Sequence, residues 1–460
     1  MLDLGGFMNQ EKFIEFRKKY PNFIYDSYEI LDNEENVKII YHFNIEGLTS
    51  FSPYYIIDKK YFKNKNINKE LFEYMIFHIG LIELVSYFKC TCSPNVIIKA
   101  GYINQEQINW FKKLYYYGLG EMLYTNGINV NEEDLMNITC ICEKNEILNI
   151  DYKGIGNLIP IGGGKDSNVT LELMKEEFNI NTCIVMNPKE VNIECAKAAG
   201  YSDNDIFCIK RVLDKKLIEL NKEGFLNGHT PFSSLVAFVT YMAAYIQNKK
   251  YIILSNEASA NEPTIIGTKI NHQYSKTYEF ENDFNLYTKK YFNIDIKYFS
   301  LLRCLNEFQI GMLFSNYKKY HNIFKSCNVG SKNIPWKWCC ECPKCLFVYI
   351  MLSPFLNKDE LISIFGEDLF ERKDLLNTLL ELSGNSDIKP FECVGTIGEV
   401  RYALSLTIKK LGDNLPYLLK YYKENFKLEF DDSYKYYFNE ENNLDEKFIN
   451  IVKEELKKYV

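Results

Sequence analysis

Several things are missing from this sequence. It has no dense run of lysine and arginine set among aromatic residues, and 54 basic side chains against 61 acidic ones leave a net charge of −7. That balance argues against a general nucleic-acid surface, with at most a local basic groove. No basic segment followed by an apolar core and a small-residue cleavage site opens the chain, which begins Met1-Leu2-Asp3-Leu4-Gly5-Gly6-Phe7. The expected location is therefore cytoplasmic. Long uncharged apolar runs are also lacking: the window 71–88 contains Glu73, His78 and Glu83, and the window 233–246 is too short for a bilayer. Both are expected to be buried helices, with no membrane partner. Internal repeats are absent, and the Asn, Lys, Tyr and Ile bias is spread evenly rather than gathered into low-complexity tracts.

The 460 residues allow two or three domains, and 47% hydrophobic residues suffice for real cores. Fourteen cysteines without a leader point to thiols and a metal site rather than a disulfide framework. Residues 23–58 carry strand patterns, notably Val37 to Ile45. A long apolar helix is expected over 69–88, a strand over 95–101, and a further helix from Asn104 that carries Trp110. From Asp151 onward strand and helix alternate. Leu158 to Ile161 precedes a helix over 166–178; Thr182 to Met186 precedes one over 191–199; Ile206 to Ile209 precedes one from Asp214. Tyr251 to Ser255 follows an apolar helix over 231–246, for which Thr230 is the expected cap. This alternation predicts a parallel sheet covered on both faces, with ligands at the carboxyl ends of its strands.

The stretch that organises the chain is Leu158-Ile159-Pro160-Ile161-Gly162-Gly163-Gly164-Lys165-Asp166-Ser167. A buried strand runs into three glycines and opens a helix, which is the arrangement of a phosphate cradle. Asp166 or Ser167 is expected to cap that helix. The loop lacks the P-loop pattern, because Lys165 is followed by Asp166 and Ile159 stands where the first glycine belongs. A second polar stretch follows Leu254. It contains Glu257 and Glu262, candidates for holding magnesium, and then His272, Tyr274 and Lys276, candidates for substrate contact or proton transfer. In a third region, Cys339, Cys342 and Cys345 are spaced two residues apart, and Cys327 lies twelve positions upstream. These four match the tetrahedral sulfur demand of a structural zinc, with Cys340 able to replace Cys339.

Gly-Gly-Gly-Lys-Asp-Ser resembles the Ser-Gly-Gly-x-Asp-Ser loop of the ATP pyrophosphatases, with Gly162 in place of the leading serine. A wider set resembles the UDP-N-acetylmuramoyl-L-alanyl-L-glutamate epimerases. It comprises Gly118-Leu119-Gly120-Glu121, Gly162 to Ser167, Gly228-His229-Thr230-Pro231-Phe232-Ser233, Ser255 to Glu262, Asn271 to Lys276, Cys342-Pro343-Lys344-Cys345 and Pro390 to Gly395. The resemblance implies an α/β chain in three parts. Residues 1–150 would form an α+β substrate-recognition domain, residues 151–325 a Rossmann-like ATP pyrophosphatase domain, and residues 326–460 a Cys-rich, mostly helical region. It implies ATP, magnesium and a structural zinc as cofactors and a UDP-linked peptide as substrate. Gly162, Gly163, Gly164, Lys165, Asp166, Ser167 and Met186 would bind nucleotide. Lys165 and Ser167 would stabilise the departing pyrophosphate, and Asp166 would cap the helix or help hold magnesium. His229, His272, Tyr274 and Cys393 are candidates for moving the α-proton. Two other readings are a nitrile-forming or thiolating enzyme of nucleoside modification with the same loop, and an ATP-binding protein without turnover. The acidic charge and the large amino-terminal region weigh against the former.

Overall fold

Buried and half-exposed positions alternate without a break from Asn36 to Ile45, as they must where one face of a strand packs on a core and the other does not. In the computed structural model, the residues described are 4–143, 150–261, 274–327, 329–330, 337–386 and 389–460. The chain divides into two compact units. One comprises Met1–Ile155, Cys208–Tyr251 and Lys269–Lys297; the other comprises Gly156–Phe207, Ile252–Thr268 and Tyr298–Val460.

The strands are β1 (Asn22–Asp32), β2 (Asn36–Ile45), β3 (Thr49–Phe51), β4 (Tyr54–Asp58), β5 (Asn95–Ile98), β6 (Asn137–Cys140), β7 (Asn157–Pro160), β8 (Asn181–Met186), β9 (Ile206–Val212), β10 (Tyr251–Leu254) and β11 (Lys297–Ser300). In the first unit the order is β9-β4-β2-β1-β5-β6, with β3 on β2. The pairing is mixed. β1 and β2 form an antiparallel hairpin whose register shifts between Tyr25 and Ser27, β4 is antiparallel to β2 and β9, and β5 is parallel to β1 and β6.

The apolar helix expected over 69–88 is Lys69–Glu83, capped by Asn68, followed by a short turn of helix, Val85–Phe88. By length and composition it could cross a membrane, but 83% of its apolar window is buried inside the protein. Its polar residues are those of a core helix. Glu83 takes two hydrogen bonds of 2.8 Å from the Arg211 guanidinium and one of 2.5 Å from the Tyr55 hydroxyl. His78 lies 2.7 Å from the Tyr287 hydroxyl, and burial lowers its pKa to about 3, so it is neutral. The helix Phe232–Ile246 packs against Lys69–Glu83. Thr230 does not cap it: Pro231 holds the cap position, and the Phe232 N–H donates to the Thr230 carbonyl rather than to its hydroxyl.

In the second unit the order is β11-β10-β7-β8, with β7 and β8 parallel as the alternation predicts. The Asn157 and Asn181 side chains are tied by a 2.7 Å hydrogen bond at the start of these two strands. The expected helix over 166–178 is shorter: an α-helix, Lys165–Leu173, gives way to a 3-10 stretch, Lys175–Ile180. Phe178 nevertheless stacks on Tyr201 at 4.5 Å. Downstream the unit is mostly helical. The helices Glu307–Asn316, Pro343–Leu352 and Ile397–Leu411 share a core in which Phe308 meets Phe355 and Tyr402 at ring distances of 5.0 and 4.8 Å.

Candidate functional site

At the carboxyl end of β7 the chain turns through Gly162, Gly163 and Gly164 into the helix Lys165–Leu173. Gly164 occupies the N-cap position and no side chain caps the helix. The expected cap by Asp166 or Ser167 is not formed. Asp166 is engaged with Lys165, and the Ser167 hydroxyl donates back to the Gly164 carbonyl at 3.1 Å. The first-turn N–H groups thus keep the positive end of the helix for an anion. Gly163 has φ +79°, and a Cβ there would lie 2.9 Å from Val191 Cγ1. Only glycine meets both conditions without strain.

Lys165 is fully buried, and its ammonium lies against the carboxylates of Asp166 and Glu307. Burial alone would lower its pKa, but Asp166, Glu307 and Glu257 outweigh that and hold it above the ordinary lysine range. Glu307 is 1% exposed, and its Oε1 has no hydrogen-bond partner among the described residues. Burial pushes its pKa up to about 8, with Asp166 and Glu257 adding to the rise and Lys165 and Lys344 opposing it. Glu307 is positioned by the cap of its own helix, where Asn306 and Gln309 form a capping box. Its backbone N–H donates to Glu399 Oε1 at 2.5 Å, and Glu399 closes a second capping box with Thr396. Burial raises the Glu399 pKa as well. The turn Pro390 to Gly395 lands on this pair: a Cβ at Gly395 would lie 2.9 Å from Glu399 Oε2 and 3.1 Å from Glu307 Cβ. In the same turn, the Cys393 carbonyl accepts a hydrogen bond from Lys344 Nζ. Glu257 is 8% exposed, and its carbonyl accepts from Arg303 at 2.8 Å.

Lys344 lies between two cysteines of the third region. The sulfurs of Cys327, Cys339, Cys342 and Cys345 lie within 4.8 Å of one another. Cys327 to Cys342 is 3.7 Å, Cys339 to Cys345 is 3.7 Å and Cys342 to Cys345 is 3.5 Å. Four sulfurs at about 2.3 Å from a tetrahedral zinc are about 3.8 Å apart, so the residues fit that ion. Backbone N–H groups of Gly330 and Glu341 point at Cys327 Sγ and Cys339 Sγ, at 3.1 and 3.5 Å, as suits sulfurs carrying negative charge. Cys340 is turned away: its thiol donates to the Phe365 carbonyl at 3.2 Å, and burial pushes its pKa up to about 12. Of the two cysteines left open by spacing, Cys339 joins the group.

The second unit therefore holds Gly162 to Ser167, Met186, Glu257, Cys393 and the four cysteines. Met186 ends β8, half-buried, and Asn187 after it takes φ +50°. The first unit holds His229 and Tyr274. His229 Nδ1 lies 3.9 Å from Glu121 Oε2, joining two of the quoted motifs, and the next residue but one, Pro231, packs tightly on Gly118. Tyr274 is buried against Tyr117 at 5.3 Å, and burial raises its phenol, so it holds its proton. His272 and Glu262 lie outside the described residues. Sequence reasoning missed Glu307, Glu399 and the role of Lys344. The local signals were the Asn306-x-x-Gln309 and Thr396-x-x-Glu399 boxes, which mark helix starts but not what those starts face.

A family model described as "MurL N-terminal domain" matches residues 15–301, and one described as "MurL C-terminal domain" matches residues 323–425. A protein of Xanthomonas oryzae pv. oryzae named UDP-N-acetyl-alpha-D-muramoyl-L-alanyl-L-glutamate epimerase is 33% identical over 335 residues, covering 71% of this chain and 73% of its own. Proteins of the same name from Salinispora tropica and from a Micromonospora species are 32% and 30% identical, covering 73% and 70% of this chain. The quoted motifs all lie inside the stretches matched by the two family models, and on that agreement of motif and length this chain belongs to the MurL family.

Proposed function

We propose that this protein is an epimerase that inverts the terminal L-glutamate of UDP-N-acetylmuramoyl-L-alanyl-L-glutamate in the cytoplasm, a step in making peptidoglycan precursors, and that it drives the inversion with ATP. The observation that carries the ATP part is the uncapped helix start at Gly162 to Gly164 beside the buried Lys165. The names of its relatives carry the substrate.

A free carboxylate beside an α-carbon resists loss of the α-proton, because deprotonation adds a second negative charge to the same group. ATP supplies an adenylyl group: a carboxylate oxygen bonds to the α-phosphorus, pyrophosphate leaves, and the resulting mixed anhydride has lost the charge that opposed deprotonation. The glycine-loop N–H groups, Lys165 and Ser167 hold the leaving pyrophosphate. Asp166 and Glu257 are the carboxylates for magnesium, which favours one or two such ligands plus phosphate oxygens. The proton leaves one face of the α-carbon and returns to the other, after which hydrolysis releases AMP. Candidates for that transfer are His229, His272, Tyr274, Cys393 and, added by its raised pKa, Glu307. We assign substrate recognition to residues 1–150, ATP chemistry to 151–325, and the zinc site with its helices to 326–460.

The test is turnover of the UDP-linked dipeptide with ATP and magnesium in heavy water. Release of AMP and pyrophosphate, deuterium at the α-carbon and D-glutamate in the product are expected. Ser167→Ala should abolish pyrophosphate release with the fold intact. It is a cleaner variant than one at Lys165, whose buried ammonium packs against both Asp166 and Glu307. Wild-type release from Ser167→Ala refutes the assignment of the loop.

A further inference from the structure

The glycine loop has no hydroxyl at its head. The ATP pyrophosphatase loop it resembles starts with serine, and here the position is Gly162. A Cβ at Gly162 would meet nothing within 4 Å, so the space a serine side chain would fill is open.

A hydroxyl reaches the loop from elsewhere in the same unit. Ser326 Oγ lies 2.8 Å from the position a Cβ on Gly164 would take. The Ser326 side chain is half-buried. Its backbone is held firmly in place. On one side, the Lys325 N–H donates to the Gly163 carbonyl at 3.0 Å. On the other, Cys327 is a member of the four-sulfur group. Upstream, the buried Tyr320 hydroxyl donates to Glu172 of the loop's own helix at 2.6 Å, and Lys319 pairs with the same carboxylate at 2.7 Å. Phe324 packs on Phe314 and Trp338 at 4.4 and 5.3 Å. The segment 319–327 is thus fixed to the helix, the loop and the cysteine group. The side-chain atom it presents at Gly164 is the Ser326 hydroxyl.

We infer that Ser326 is a phosphate-binding residue, supplying from the segment ahead of the cysteine group the hydroxyl that the loop lacks at Gly162. The inference rests on the ATP reading proposed above. It gives glycine at 164 a role, since a Cβ there would make the Ser326 hydroxyl move. It also gives the four-cysteine group a task in the site: through Cys327 it holds a phosphate donor in place without touching the nucleotide.

The experiment measures binding of magnesium pyrophosphate, and separately of magnesium ATP, to the full-length protein by calorimetry. One hydrogen bond to a charged oxygen predicts about a tenfold or greater loss of pyrophosphate affinity in Ser326→Ala, with Ser326→Thr near wild type. The decisive variant is Gly162→Ser combined with Ser326→Ala, which should regain most of the lost affinity. Zinc content measured on each variant separates a lost donor from a damaged cysteine group. Wild-type affinity in Ser326→Ala, or a loss that Gly162→Ser does not recover while zinc content is normal, overturns the inference and leaves the ATP reading standing. If the wild-type protein binds neither probe, the ATP reading fails and this inference falls with it.

Discussion

Glu307 faces Lys165, Asp166, Glu257, Lys344 and Glu399, drawn from the glycine loop, the end of β10, the cysteine knuckle and the start of the helix Ile397–Leu411. With Asp166 balancing Lys165, the low-dielectric surroundings favour the protonated form of Glu307. Its folded-state pKa, about 8, lies above the ordinary 4.5, so the proton is bound more tightly in the folded protein. The stability this contributes is fully present below about pH 4.5 and is lost as pH rises through about 8. Urea midpoints measured across that window should fall with rising pH in the wild type and fall less steeply in Glu307→Gln. Equal slopes for the two proteins would count against a protonated Glu307. Gly163 makes a separate demand. Alanine there must adopt φ +79° and push on Val191 Cγ1. The conformation alone costs about 1–2 kcal/mol, and the loop N–H groups would be displaced. Gly163→Ala should therefore lower both thermal stability and pyrophosphate release, whereas unchanged release would show that the loop tolerates the shift.

At the scale of elements, the helix Pro343–Leu352 links the four-cysteine group to the glycine-loop residues. Its first turn carries Cys345, and Cys342 is its cap residue, while Lys344 between them reaches the Cys393 carbonyl. A metal held by these sulfurs would therefore set the position of a lysine that faces Glu307. Cys339→Ser and Cys342→Ser should lose bound zinc, and Cys340→Ser should keep it, as read by metal analysis and thiol titration. Zinc loss from Cys340→Ser would falsify the ligand assignment. The apolar helix Lys69–Glu83 poses the opposite case, where a charge is matched by a single cation. Arg211→Leu leaves Glu83 buried without its partner. A loss of about 3–5 kcal/mol is expected, measurable by denaturant titration, with partial recovery in the double variant that also carries Glu83→Gln.

At the scale of the whole molecule, the compact units do not follow the chain in order. The first takes most of β9 and the helix Phe232–Ile246 from beyond residue 207, as well as the helix Tyr278–Tyr291. A fragment ending at residue 150 lacks β9, one of the two partners of β4, and the helix that packs on Lys69–Glu83. Expressed alone, it should expose that apolar face and bind a hydrophobic dye or aggregate. A monomeric fragment with a well-dispersed NMR spectrum would contradict this.

What was legible in the sequence was local. The glycine loop, the strand and helix alternation around it, the helix from Asp214 and the cysteine spacing all lie within a few turns of chain. Backbone sterics, capping and ligand geometry act at that range. The tertiary structure decided which charges meet. Lys165 and Glu307 are 142 positions apart. A carboxylate's wish to keep its proton depends on burial and on neighbours that spacing along the chain does not encode. The same holds for Ser326, an unremarkable serine in the sequence, brought to Gly164 by a carbonyl, a tyrosine and a cysteine group. It holds too for Asp166 and Ser167, whose residue types suit a helix cap but whose side chains are committed to Lys165 and to the Gly164 carbonyl. Local chemistry made the cradle recognisable, and long-range packing, by setting the dielectric and the partners of each buried charge, determined what surrounds it.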